Sequence, residues 1–444
     1  MDTYISYVEK HRQLILDTLE YIWKHPESGY REWKTHEYMA NIFRDLGYAI
    51  TPAGNIPGFT ATIDTGRDGP TLAIFGEMDA LLIPEHPEAD PQTGAVHACG
   101  HCAQCAALVG IAAALKEPGA LDGLSGKIML VAVPAEELIE AEYRLQLRKQ
   151  GIIKYMGGKP EFLRRGLLDG VDLSFMVHTG ARSFINGGTN GLIAKTMTFQ
   201  GVSAHAGGAP HRGINALYAA NLALSAINAL RETFQDNDHI RVHPIITEGG
   251  ASVNAIPHKV TVESYVRGAN MNAIRSANEK VNRACAAAAA AMGAKLQITD
   301  FPGYWPRRYT EDFIAVFSNT APAAGIDFQY TPSGWSSGCS DMGDICSIMP
   351  ALHPTVAGCE GAAHSTAYRI GDPETACVGS AKWQYLAIRQ LLENGAETAK
   401  SIVANYQPEF ADKDNYFAYV DALDMDKQAV TYEENGNVIL DFHK

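Results

Sequence analysis

Cysteine is scarce in this chain: eight residues in 444 are too few for a disulfide scaffold. Long apolar runs are missing too, since the most extended, at 284–292, is mostly alanine and far too short to span a bilayer. There is no excess of positive charge; the net charge of -14 argues against a nucleic-acid backbone or an anionic membrane as partner. Residues 1–13 are charged and lack the hydrophobic segment of a secretory signal, so the expected location is the cytoplasm. Charged residues make up 19% against 46% hydrophobic, the profile of a globular chain. At 444 residues it exceeds one ordinary core, and two domains are expected.

What is present is unevenly placed. Cys99, Cys102 and Cys105 crowd one short stretch, which in a cytosolic chain suggests metal or redox chemistry before it suggests bridges. Apolar residues at helical spacing predict helices over 4–21 and 35–46. Continuous apolar runs at 71–75, 128–133 and 173–177 predict strands buried on both faces. An alanine-rich helix over 103–116 separates the first two, and this alternation implies a parallel sheet with helices packed on it. After Gly187-Gly188 the character changes: strands at 192–199, 240–246, 260–266 and 295–299 are interleaved with helices at 215–233 and 273–292. That pattern reads as an inserted layer of helices on an antiparallel sheet. Phe301-Pro302-Gly303 then returns the chain to the first domain. The expected architecture is an α/β domain, mostly parallel with helices on both faces, formed by 1–188 and 301–444, with an inserted α+β domain at 189–300.

Three of the buried strands end in groups able to hold metal or move protons. The first leads into Glu77-Met78-Asp79, the second into Pro134-Ala135-Glu136-Glu137, and the third into His178. Ligands of open α/β sheets bind outside the carboxyl ends of the strands, so all three tips face one crevice. His97-Ala98-Cys99-Gly100-His101 precedes the alanine-rich helix, and thiolate with imidazole is a preferred donor set for zinc and its neighbours. Late in the chain His364 lies in a loop of small residues. Taken singly, these are also what a buried thiol, a solvated acidic pair or an ordinary loop histidine would look like.

Together they resemble the amidohydrolase branch of the aminoacylase/carboxypeptidase metallopeptidase family, which includes hippurate, auxin-conjugate and aminobenzoyl-glutamate hydrolases. The resemblance rests on Gly76-Glu77-Met78-Asp79-Ala80-Leu81, His97-Ala98-Cys99-Gly100-His101, Pro134-Ala135-Glu136-Glu137 and His178. It continues through Ser203-Ala204-His205-Ala206, Val253-Asn254-Ala255-Ile256-Pro257, Val266-Arg267 and His364, all in family order. It implies that Cys99, His101, Glu137, His178 and His364 hold two divalent ions per subunit, zinc or manganese with cobalt or nickel as options, bridged by Cys99. Glu136 would be the general base and acid, and Asp79 would support a ligand from behind. His205 would stabilise the oxyanion, while Asn254 and Arg267 would bind substrate, Arg267 through a carboxylate. The substrate would be a small amide: an N-acyl amino acid, an aminobenzoyl-glutamate-like conjugate or a dipeptide. The inserted domain would act as lid and homodimer interface.

At one place the sequence departs from the family: Cys102 and Gln104 stand where Asp or Asn, and often His, are usual. The departure predicts that a carboxylate orienting His101 is missing. Three rival readings remain. Cys99, Cys102 and Cys105 mimic part of an iron–sulfur run but lack the fourth thiolate. Gly334-Trp335-Ser336-Ser337-Gly338 matches the nucleophile elbow of serine esterases, although its flanks read as loop. A non-catalytic metal-binding protein is the third, and it would have no use for Glu136.

Overall fold

The computed structural model describes residues 2–443 and divides the chain into two compact units. The first comprises residues 1–187, 308–334 and 340–411. Its main sheet orders six strands as Ile50–Pro52, Phe59–Asp64, Lys127–Val133, Thr71–Glu77, Leu173–Phe175 and Ala351–Leu352. The last four run parallel, while the first two pair antiparallel. Strand Thr71–Glu77 is central and buried from Leu72 onward, which is why its sequence is an unbroken apolar run rather than an alternation.

Helix His101–Ala114 packs against that central strand and is buried on every side, so it carries no polar face. It begins two residues earlier than its apolar spacing indicates, because Gly100 takes a φ of 87° and starts the helix from a left-handed turn. A Cβ at Gly100 would come within 2.4 Å of the Tyr368 hydroxyl, so glycine is required there on two counts. The helix expected over 4–21 is two helices, Asp2–Glu9 and Arg12–Lys24. Between them Lys10 and His11 both turn to Glu117, at 2.6 and 2.9 Å.

The second unit comprises residues 188–307, 335–339 and 412–444. Its antiparallel sheet orders Arg241–Val242, Lys259–Gly268, Gly191–Gln200, Lys295–Pro302, Met425–Tyr432 and Val438–Leu440, with Ile245–Glu248 also paired to Lys259–Gly268. Along Lys259–Gly268 the even-numbered residues are buried and the odd-numbered ones partly exposed up to Arg267. The buried face carries the apolar core shared with helices Ala216–Ala229 and Met271–Ala291. Both helices start from an asparagine cap: Asn215 accepts from Leu217 and Tyr218 N–H, and Asn270 from Ala273 N–H.

The C-terminal segment departs from the expected division of the chain. Residues 301–444 are not all part of the first domain, because Met425–Tyr432 pairs with Lys295–Pro302 and extends the second unit's sheet. Strand Phe328–Ser336 also runs through Thr331-Pro332-Ser333, where the sequence reads as loop. It sits at a sheet edge, where a proline without an N–H is tolerated.

Candidate active site

From strand Thr71–Glu77 the chain passes to Lys127–Val133 on one side and later to Leu173–Phe175 on the other. The winding direction therefore reverses at the central strand, and the crevice beyond the carboxyl ends at such a point is where open sheets take ligands. Those ends deliver Glu77 and Asp79, Glu136 and Glu137, and His178 to one place.

Five donors expected to bind metal gather there as two triplets. Ligand atoms of Cys99, His101 and His178 all lie within 4.8 Å of one another, and so do those of Cys99, Glu137 and His364. Cys99 belongs to both, the position that a bridging thiolate requires. A third triplet, Glu77, His101 and Glu136, overlaps the first through His101.

The imidazoles are oriented for ligation. His101 Nδ1 lies 3.0 Å from the Asp79 carbonyl oxygen and 3.1 Å from Asp79 Oδ1. Donation from Nδ1–H turns the Nε2 lone pair toward the donor group, and that buried Nε2 lies 3.2 Å from Glu77 Oε2. His178 repeats the device, with Nδ1 2.8 Å from the Thr179 carbonyl oxygen and Nε2 3.5 Å from Cys99 Sγ. Glu137 Oε1 lies 3.3 Å from His364 Nε2, its fellow in the second triplet. Asp79 also accepts the Glu137 backbone N–H at 2.8 Å, so one carboxylate fixes two of the expected ligands.

The expectation of a missing carboxylate behind His101 is therefore overturned: Asp79 supplies it. Cys102 instead fills the apolar core, and Gln104 donates to Glu77 Oε2 at 2.9 Å. Among the three clustered cysteines only Cys99 enters a donor group, and Cys102 and Cys105 are buried in the helix, so the iron–sulfur reading fails. The serine elbow is not formed either. Ser336 ends a strand, and residues 337–341 intervene before the helix Met342–Cys346.

The electrostatics call for cations. Glu32, Glu77, Asp79, Glu136, Glu137 and Asp341 are all buried in this region, against two permanent cations, Arg144 and Lys159. Burial, then the charges of Glu77 and Glu137, hold the Glu136 carboxyl well above the usual range. Burial and the nearby Glu137 charge likewise push the Cys99 thiol up. Burial and the His101 charge press His178 down to about 4, which keeps it a neutral ligand. A thiol, imidazole nitrogens and buried carboxylate oxygens gathered in this excess of negative charge fit divalent metal ions.

Several residues that build the site gave no signal in the sequence. Lys159, fully buried, reaches Glu77 at 2.5 Å and also pairs with Asp341. Ala135, in a left-handed conformation with φ 58°, donates its N–H to buried Glu32 at 2.8 Å. Arg144 donates to the Glu137 carbonyl oxygen and, at 2.8 Å, to that of Met156. The turn carrying Glu136 and Glu137 is thus held by Glu32, Asp79 and Arg144. His364, the expected late ligand, also has a positive φ of 63°, and such strain in residues other than glycine collects at functional sites.

The second unit holds the other expected residues. His205 is exposed, and its Nδ1 accepts N–H bonds from Gly207 at 3.1 Å and Gly208 at 2.9 Å. The neutral ring must then carry its proton on Nε2, where it can donate outward. Asn254 is exposed beside it, its carbonyl oxygen accepting the Ala206 N–H at 2.9 Å. Arg267 is partly buried, and its Nε has no hydrogen-bond partner.

Residues 187–293 match the family model described as a peptidase dimerisation domain, of the M20 type. The mouse Xaa-Arg dipeptidase is 26% identical over 75% of this chain and 74% of its own length. One of the chains of the Escherichia coli p-aminobenzoyl-glutamate hydrolase is 29% identical over 64% of this protein, which spans 56% of that relative. A solved Bacillus subtilis structure, described as a dinuclear metal-binding peptidase of the M20 family, superposes with a TM-score of 0.63. It is 22% identical and covers 86% of this chain and 99% of its own. Residues 187–293 thus carry an M20 dimerisation domain, and over most of its length the chain is similar to M20 amidohydrolases. It is a metal-dependent hydrolase of amide bonds. Among its described residues, no helix is long and apolar enough to cross a membrane.

Proposed function

We propose that this enzyme hydrolyses the amide bond of a small N-acyl amino acid, aminobenzoyl-glutamate-like conjugate or dipeptide, with two divalent cations held by Cys99, His101, Glu137, His178 and His364. The observation that carries this reading is the pair of donor triplets sharing Cys99, with buried Glu136 in a third triplet that shares His101. Thiolate favours zinc, while the carboxylate and imidazoles also accept manganese, cobalt or nickel. When bound, the cations supply Lewis acidity, lowering the pKa of the attacking water and stabilising developing negative charge.

The protein's own groups do the rest. Glu136 takes the proton of the water, and its raised proton affinity lets it hold that proton until it passes to the leaving amine. Asp79 keeps His101 and Glu137 in place as ligands. His205 donates from Nε2–H to the oxyanion, while Asn254 and Arg267 bind the substrate, Arg267 through its carboxylate. Eight cysteines without a disulfide among the described residues support a cytoplasmic setting.

Activity against a panel of acyl-glutamates, acyl-aromatic amino acids and aminobenzoyl conjugates, with divalent metal added, is the direct test. Cleavage of at least one member, untouched by serine-directed reagents, is expected. Hydrolysis lost in Ser336→Ala would revive the esterase.

We further propose a homodimer through the second unit. Tyr218 and Leu222, exposed on one face of helix Ala216–Ala229, and Ile245, exposed on an edge strand, support it. In this dimer the partner's His205 completes each site. Mixed His205→Ala and Glu136→Gln chains then place both lesions in one site and neither in the other. Random reassortment makes about half the dimers mixed, so roughly a quarter of wild-type activity is expected to return. Recovery of nothing would mean that His205 acts within its own chain or not at all.

A further inference from the structure

The register of the second unit's sheet places two arginines face to face. Arg241 on strand Arg241–Val242 is the cross-strand partner of Arg267 on Lys259–Gly268. Residues directly opposite share a face, and the neighbouring pair Val242 and Val266 is buried, so both arginines lie on the open side. Like charges opposite one another are unfavourable unless an anion lies between them.

None of the unit's described residues supplies that anion. Arg241 donates one bond, from Nη1 to the Ile240 carbonyl oxygen at 2.9 Å, and its side chain is exposed. Arg267 has two long contacts from Nη1, to the Ser337 carbonyl oxygen at 3.4 Å and Cys339 Sγ at 3.8 Å. Its Nε is buried and has no hydrogen-bond partner. Neither guanidinium meets a carboxylate among the described residues. The nearest acid along that face of the strand, Glu263, is four residues back, roughly 13 Å away at strand spacing. Arg267 is held in place from one side, its guanidinium carbon 5.2 Å from the Tyr265 ring centroid, with His243 edge-on to the same ring at 5.6 Å. Burial and then the Arg267 charge keep His243 below its ordinary pKa, so this ring adds no cation of its own.

We infer that Arg241 and Arg267 form a receptor for a dicarboxylic amino acid, so that the preferred substrates are N-acyl glutamates and aspartates. Arg267 takes the α-carboxylate and Arg241 the side-chain carboxylate. A dicarboxylic amino acid is short enough to bridge neighbouring side chains, and the planar fork of arginine suits each carboxylate. Arg241 is thereby a specificity-determining residue. The inference rests on the amide-hydrolase reading above and narrows it to one substrate class.

The test compares matched pairs, N-acyl-glutamate with N-acyl-glutamine and N-acyl-aspartate with N-acyl-asparagine, on metal-supplied wild type and Arg241→Gln. In the wild type kcat/KM is expected to favour the acid by at least ~10-fold, the size of a charged hydrogen-bond pair, and in Arg241→Gln that ratio collapses toward one. A wild type indifferent to the acid, or a variant that keeps the preference, overturns the inference. Glutarate gives a reading independent of turnover. It should raise the melting temperature of the wild type and leave that of Arg241→Gln unmoved, and equal shifts in the two overturn the receptor. If no substrate in the panel is cleaved, the hydrolase reading fails, while glutarate still reports on the arginine pair alone.

Discussion

Glu136→Gln is expected to lower turnover by about three orders of magnitude while bound metal stays at its wild-type level. The substitution keeps shape and volume but removes the group that takes a proton from water and returns it to the leaving amine. Glu136 is buried among Glu77, Glu137 and Asp341, so loss of its charge also relieves repulsion, and the protein should be no less stable. Glu137→Gln should behave in the opposite way. Its carboxylate lies in the donor triplet with Cys99 and His364, and its substitution should release metal. Elemental analysis of the two purified variants separates these outcomes. If Glu136→Gln is the one that loses metal, the roles of the pair are reversed.

The second large effect is on stability. Lys159→Met should destabilise the protein by about 3–5 kcal/mol, because Glu77 and Asp341 would be left buried without their cation. Burial lifts Asp341 to about 6 even with the lysine charge opposing, so its carboxylate has little room to lose a partner. Much of the loss should return in Lys159→Met combined with Asp341→Asn, where one uncompensated charge is gone. Denaturant unfolding of the single and double variants checks this. A loss below about 1 kcal/mol in the single variant would show that the network is not a buried ion pair of the usual cost.

The parts of the molecule legible in the sequence are those with a local signature. Buried parallel strands announce themselves as apolar runs, and several of the expected metal donors sit where those runs end or in a short motif, so Glu137 and His178 can be placed beyond strand ends by chain logic alone. The residues supporting them have no such mark. Lys159 meets its partners across 82 and 182 residues, and Glu32 meets Ala135 across 103. A lysine after two glycines, or a glutamate near a helix start, looks like surface until the fold is closed. Cys102 shows the same blindness from the other side. Read as a departure that leaves His101 without support, it is an ordinary core residue, because the supporting carboxylate comes from Asp79, 22 residues earlier. Strand Met425–Tyr432 escapes sequence reasoning because its burial is irregular, with Asp426 exposed on the strand, so no alternation marks it.

Amide hydrolysis is proposed to depend on two cations held by Cys99, His101, Glu137, His178 and His364. Its most direct test is a metal titration of chelator-stripped protein, following ion content and hydrolysis of the best panel substrate together. No turnover is expected in the stripped protein, with restoration by Mn²⁺, Zn²⁺ or Co²⁺ and saturation at two ions per chain, and with both binding and turnover lost in Cys99→Ala. Full activity in the stripped protein, or a Cys99→Ala chain that still binds two ions and turns over, would contradict it.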